Sequence, residues 1–170
     1  MPHMTDLFFS KSVVYICEHS NNGAMGIIIN KQFKDQKLKT VLETISEDDN
    51  PIVKDIFFGG PVLLEKGLVL HESRHRSDNT VNISKSISIT GTLEVLKDLQ
   101  SKSDVSFKLI LGHSGWSQGQ LEKEIENGDW LIQNTTPDFI FNIQPEQMWT
   151  QAAESLGIDF GVASNISGQA

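Results

Sequence analysis

The chain predicts an α+β fold in a single domain over residues 1–170, with a mixed, mostly antiparallel sheet and about four helices packed around it. Three observations carry this expectation. Short β-branched runs come in closely spaced pairs, which suits hairpins rather than a regular strand–helix–strand repeat. No linker, repeat or low-complexity segment divides the 170 residues, a length that buries about 70% of the unfolded chain's surface. With 38% hydrophobic and 21% charged residues, the composition is that of an ordinary folded protein rather than a disordered one.

Ser12 to Glu18 is apolar and β-branched and reads as a strand, Asn21-Asn22-Gly23 as a turn, and Met25 to Ile29 as the second arm of an antiparallel hairpin. Cys17 and His19 then fall on one face of the first arm. Leu38, Val41, Leu42 and Ile45 recur at helical spacing, and Glu47 to Pro51 ends that helix. Strands follow at Asp55 to Phe58, broken by Gly59-Gly60-Pro61, at Gly67 to His71, and at Val81-Ile83 and Ile87-Ile89. Leu93, Leu96 and Leu99 give a second helix, for which Thr90 is the expected N-cap. Phe107 to Leu111 reads as a strand, Gly112 to Gly119 as a turn, and Leu121 to Glu126 as a helix. Trp130-Ile132 and Phe139-Phe141 read as strands. A last helix opens at Pro145 and stops before Gly157, with Met148, Trp149, Ala152, Ala153 and Leu156 on its inner face.

The bulk properties exclude several functions. A net charge of −8 argues against nonspecific nucleic-acid binding, which needs clustered Lys and Arg to displace counterions. No apolar run approaches the roughly 20 residues that span a bilayer. Cys17 is the only cysteine, so no intrachain disulfide forms, and the first residues lack the pattern of a secretory signal. The expected location is the cytoplasm. No glycine fingerprint for a dinucleotide or a nucleotide phosphate follows any strand, so no cofactor is expected. One cysteine and scattered histidines do not build a common metal cluster, so no metal is expected either.

Gly112-His113-Ser114-Gly115-Trp116 draws most attention, because a turn from strand to helix leaves backbone N–H groups open to an anion. It approaches the nucleophile elbow G-x-S-x-G, but Trp116 is bulky where the elbow needs a small residue, and no histidine follows Ser114. Three readings stand. One is a glycine-enabled turn with Trp116 in the core and Ser117 capping the helix. Another is a small-ligand or anion site at Gly112, Ser114, Gly115 and Trp116, with His19 and His71 as further candidates. The third is a hydrolase whose nucleophile is Ser114 or Cys17, which requires a base about 3 Å away. Glu122 and Glu126 do not form an acid–base pair. They mainly repel at i and i+4.

Taken together, Met1-Pro2-His3-Met4, Cys17-Glu18-His19, Gly23-Ala24-Met25-Gly26 through Asn30, Gly59-Gly60-Pro61-Val62, Gly67 to His71 and Gly112 to Glu122 resemble the YqgE/AlgH family of bacterial proteins, along essentially the whole chain. The resemblance implies a bifurcated sheet curled into a pseudo-barrel and a soluble protein of unestablished activity. In one branch it implies a link to transcriptional control of alginate production. The chain departs from the family pattern in beginning at Met1-Pro2, in lacking a proline after Asn30-Lys31, and in carrying His113 where an aromatic often precedes the serine. The expected mode of action is binding of a protein partner or small ligand, with a regulatory outcome, and the hydrolase is the alternative.

Overall fold

Val14, Tyr15 and Ile16 open the first strand, β1 (Val14–Ser20), which turns at Asn21-Asn22 into β2 (Gly23–Ile28) as the expected antiparallel hairpin. The computed structural model describes residues 6, 8–33, 55–74, 79–91, 94–100 and 105–158, so the helix expected around Leu38 to Ile45 lies outside the described residues. Further strands are β3 (Ile56–Phe58), β4 (Val62–Glu72), β5 (Thr80–Asn82), β6 (Ile87–Thr90) and β7 (Phe107–Ser117). The described helices are α1 (Glu94–Gln100), α2 (Gln120–Glu126), α3 (Pro137–Asn142) and α4 (Pro145–Ser155). The sheet runs β1-β2-β7-β4-β6-β5, with β3 also on β7. All pairings are antiparallel except β3 with β7. This is the expected α+β class, in which the sheet curls into a half-barrel with β1 and β5 at its open ends.

The strands alternate, so the two faces of the sheet are separate cores. Ile27, Ile29, Phe57, Leu70 and Ile110 face one way, against Ile140 of α3 and Met148 of α4. Ile56, Val69 and Leu109 face the other way, against Val95, Leu96 and Leu99 of α1. Fully burying one such side chain stabilises the fold by about 1.5–3 kcal/mol. A bulge between Ile16 and Glu18 breaks the alternation of β1. Cys17 therefore packs towards the Ile27 face, while His19 pairs with Ala24 of the other face, contrary to the expected sharing of one side.

Several expectations give way to the structure. The glycine-rich stretch is not a turn, because β7 continues through it to Ser117, with Ser114 to Ser117 paired to β2. The start of α2 is Gly119, at φ 72, and not Ser117, whose N–H is held instead by the Gln120 side chain at 3.0 Å. Thr90 is a strand residue, not a cap. Residues 130–136 form no regular strand, and Phe139 to Phe141 lie in α3. There Thr136 accepts the Phe139 N–H at 3.2 Å, Pro137 fills the first turn and Asp138 suits the positive end of the helix dipole. That start signal outweighs the apolar run that reads as a strand. The helix set accordingly differs from the expected four, by the addition of α3 and with the Leu38 helix undescribed.

The sheet forks on β7. Along one edge, β3 pairs with Leu109 to Leu111, and β2 takes over from Ser114 to Ser117. Between them Gly59 and Gly60 press on Gly112 and His113, so closely that a Cβ on Gly60 would lie 2.4 Å from the His113 carbonyl. One on Gly112 would lie 2.4 Å from the Gly60 oxygen. The Gly59 carbonyl accepts from Ile28 N–H at 2.9 Å and from Ser114 Oγ at 3.2 Å, while Gly59 N–H donates to Leu111 at 2.8 Å. Only glycine permits this approach, and Gly60 at φ +146 and Gly112 at φ +71 also need its freedom of backbone angle.

Lys108 is buried beside the fork, its Nζ donating to the Ile29 carbonyl at 3.1 Å and sitting 4.2 Å from the centre of the Phe57 ring. Burial, opposed by the attraction of Asp55, pushes its pKa down from 10.5 to about 8.

Gly60→Ala is expected to cost about 3 kcal/mol or more in urea unfolding, through overpacking and backbone strain. Gly115→Ala, whose Cβ meets nothing within 4 Å, stays within about 1 kcal/mol of the wild type. For Lys108 the folded value lies below the unfolded one, so its burial penalty is fully present below pH 8. That penalty is relieved as pH rises from about 8 to 10.5, where the folded chain releases the proton first. The stability of the wild type relative to Lys108→Met should rise by up to about 3 kcal/mol across that window, and a constant difference would contradict it.

Candidate functional site

The six residues singled out in the sequence occupy four different places. Gly112 and Ser114 belong to the fork, where the Ser114 side chain is 1% exposed and bonded to Gly59. Gly115 is exposed on β7. His71 is wholly buried in β4, its Nδ1 donating to the Glu72 carbonyl at 2.9 Å and its Nε2 2.9 Å from Thr90 Oγ1, which in turn meets Thr80 Oγ1 at 2.9 Å. A carbonyl only accepts, so Nδ1 carries the hydrogen, and in the neutral ring Nε2 then accepts from Thr90. Trp116 and His19 come together at a cavity on the β1 end of the sheet.

That cavity has a volume of about 470 Å³, within the range of small-molecule sites, and all three tryptophans of the chain line it. Trp116 arrives on β7, Trp130 on the segment after α2, and Trp149 on α4. Tyr15 and Phe139 add aromatic surface, and His19 stands at the edge. Glu124 orients two of the indoles. One carboxylate oxygen accepts Trp116 Nε1 and Trp130 Nε1, each at 2.8 Å, and the other accepts Gln120 Nε2 at 2.9 Å. Partial burial works against the Glu124 charge, but these three donors outweigh it and hold the carboxyl below its ordinary value. With both N–H groups taken, Trp116 and Trp130 meet edge to face at 6.0 Å between ring centres and offer the cavity only carbon surface. Phe9 packs edge-on to Trp130 at 5.8 Å, and Lys11 lies 5.7 Å from the Trp149 ring centre.

His19 Nε2 meets Glu122 Oε1 at 2.6 Å, and this hydrogen bond is the main cause that holds the Glu122 carboxyl below its usual range. The pair is exposed on both sides, so water and salt screen it. Gln133 accepts from Ser155 Oγ at 2.6 Å and ties the segment after Trp130 to α4.

Among the described residues, neither candidate nucleophile is hydrogen-bonded to a base. Ser114 Oγ is spent on the Gly59 carbonyl. The Cys17 thiol meets the Tyr15 carbonyl at 3.5 Å, and burial pushes its pKa up to about 12, so it is not a thiolate near neutrality. Trp130, Trp149 and Tyr15 are neighbours that no motif in the sequence marks. Their one advance signal was the gathering of all tryptophans between positions 116 and 149.

The fork and the cavity define a non-membrane-helical α+β scaffold: among the described residues no helix is long and apolar enough to cross a membrane. A family model described as AlgH-like (DUF179) matches residues 1–161, and the chain belongs to that family. Its relatives include a UPF0301 protein of Shewanella frigidimarina, 38% identical over 176 residues, covering 100% of this chain and 94% of the relative. A UPF0301 protein of Proteus mirabilis is 39% identical over 177 residues, covering 100% and 95%. The solution structure of AlgH from Pseudomonas aeruginosa is similar with a TM-score of 0.75 and 32% identity, over 100% of this chain and 92% of that one. A crystal structure from Corynebacterium diphtheriae, at 20% identity and a TM-score of 0.72 over 91% and 82%, shares the fold.

The state of Cys17 is open to direct measurement. Iodoacetamide at pH 8 is expected to alkylate the folded chain at least about tenfold more slowly than the urea-unfolded chain, because a thiol at about 12 holds almost no thiolate there. Equal rates would restore Cys17 as a candidate nucleophile.

Proposed function

We propose that this chain is a binding protein and that the tryptophan-lined cavity is its ligand site, with Trp116 and His19 as the sequence-selected residues that contribute to it. The observation that carries the reading is the convergence of all three tryptophans, from three different elements, on one space of about 470 Å³. Indoles whose polar N–H groups are already satisfied leave an apolar aromatic surface. Such a surface gains most from an apolar or aromatic ligand. The buried Ser114, bonded to the Gly59 carbonyl, and the un-ionised Cys17 favour binding over hydrolysis. Occupancy of the site, rather than turnover, is then the signal, which fits a regulatory role in the cytoplasm. A net charge of −8 favours a partner or ligand other than nucleic acid.

The test uses 8-anilinonaphthalene-1-sulfonate as an apolar probe. Its binding should quench tryptophan emission, and Ala152→Phe, which fills the cavity from α4, should weaken it about tenfold or more. Val81→Ser, on the far edge strand, should leave it unchanged. Equal binding to the wild type and to Ala152→Phe would remove the cavity as the site.

A further inference from the structure

The cavity is a slot lined by two runs of consecutive residues. Its lining includes the consecutive residues Ser12, Val13, Val14, Tyr15 and Ile16, and opposite them the consecutive residues from Trp130 to Thr135. Side chains of a strand alternate between faces, so an unbroken run lines a space only when that space lies along the strand's edge. β1 supplies such an edge, since among the described residues it ends the sheet and pairs with β2 alone.

The direction of its backbone groups follows from the register. Val13 takes the Ile29 N–H on its carbonyl at 3.0 Å and gives its own N–H to the Asn30 side chain at 2.8 Å, both on the β2 side. Tyr15 opposite Ile27 is the next residue to face β2, and the intervening Val14 and Ile16 turn their N–H and C=O outward, into the slot. Across from them, residues 131–135 belong to no helix or strand, and no backbone hydrogen bond joins them to the described chain. The outward backbone donors and acceptors of Val14 and Ile16 thus face the slot. A polypeptide strand offers matching groups at the same repeat, and an isolated apolar molecule does not.

The rim and the charges refine the occupant. Leu131 is 49% exposed, Ile132 67% and Leu156 41%, so apolar surface continues outside the slot. Glu18 and Glu122 stand at the His19 end of β1, and Lys11 at the other. For a strand added antiparallel to β1, the acidic end meets the N-terminal part of the incoming segment.

We propose that the slot receives an extended polypeptide segment of a partner protein, which adds antiparallel to the outer edge of β1 with alternate apolar side chains among Trp116, Trp130 and Trp149, and with a lysine or arginine on its N-terminal side beside Glu18 and Glu122. The proposal rests on the slot being the ligand site and specifies what fills it. Strand addition takes affinity from main-chain hydrogen bonds and selectivity from every second side chain, as the slot's construction requires.

The test pans a displayed library of random linear dodecapeptides on the full chain and then measures the enriched peptides as free synthetic molecules. The expected peptides alternate apolar residues after a basic one. They shift the backbone amides of Val14, Ile16 and Leu131 to Thr135 in NMR spectra, and they lose at least tenfold in affinity when alternate peptide nitrogens are methylated. Ile16→Pro removes an outward N–H that the β1–β2 ladder does not use, so it should abolish peptide binding while an edge strand still tolerates the proline. N-methylation acts on the peptide alone and keeps the test valid if that variant misfolds. Glu122→Lys should weaken the basic peptides several-fold. The proposal fails if no peptide is enriched, if enriched peptides ignore N-methylation, or if the slot is filled only by phosphatidylglycerol vesicles or by a second copy of the chain. Binding of the anilinonaphthalene probe in the slot without any peptide would overturn the strand-addition proposal and leave the ligand site standing, whereas loss of both would remove both readings.

Discussion

The architecture depends on one backbone contact, the meeting of Gly59 and Gly60 with Gly112 and His113. No side chain fits between them, as the 2.3 Å from a Gly59 Cβ to the Gly112 oxygen makes plain. The contact lets a single long strand hand one edge from β3 to β2, because the Gly59 carbonyl ends the β3 branch while holding both Ile28 and Ser114. Once β2 is set there, β1 becomes the end of the sheet, and its outer edge, α4 and the segment after Trp130 enclose the slot. The glycine motifs thus act on the site from a distance, by deciding where the sheet stops.

Much of this frame was legible in the residues. The β1–β2 hairpin, β3, β6, α1 and α4 follow from β-branched runs, turn residues, helical spacing and Pro145, all local signals. The errors share a cause. At Gly112 to Ser117 the glycines suggested a turn, but long-range pairing with β2 overrides local freedom. At Phe139 to Phe141 an apolar run suggested a strand, although Thr136-Pro137-Asp138 carried a helix start that deserved more weight. In β1 the bulge after Ile16 depends on fitting β2 and has no signature in the sequence of β1.

The candidate site was less legible than the fold. His19 and Trp116 were selected for reasons of type and motif, and they do meet at the cavity. Gly112, Ser114 and His71 drew attention through the same reasoning but serve the fork and the core. Trp130 and Trp149 looked like ordinary core residues, and only tertiary packing shows that they share a space with Trp116. Glu124 is more instructive still. From the sequence it is one carboxylate of an acidic helix, whereas in the structure it is the common acceptor of two indoles separated by fourteen positions.

The segment from Leu131 to Thr135 has a consequence for how such a protein changes over evolutionary time. It makes no backbone hydrogen bond to the rest of the described chain, and it is fastened by the indole of Trp130 just before it and by the Gln133–Ser155 bond at its middle. Substitutions there alter one wall of the slot without touching the glycine contact that sets the sheet. The segment can therefore be substituted at little thermodynamic risk, while the fork stays under strict steric control. The fold separates what must be kept from what is free to vary, and the boundary between them falls at Trp130.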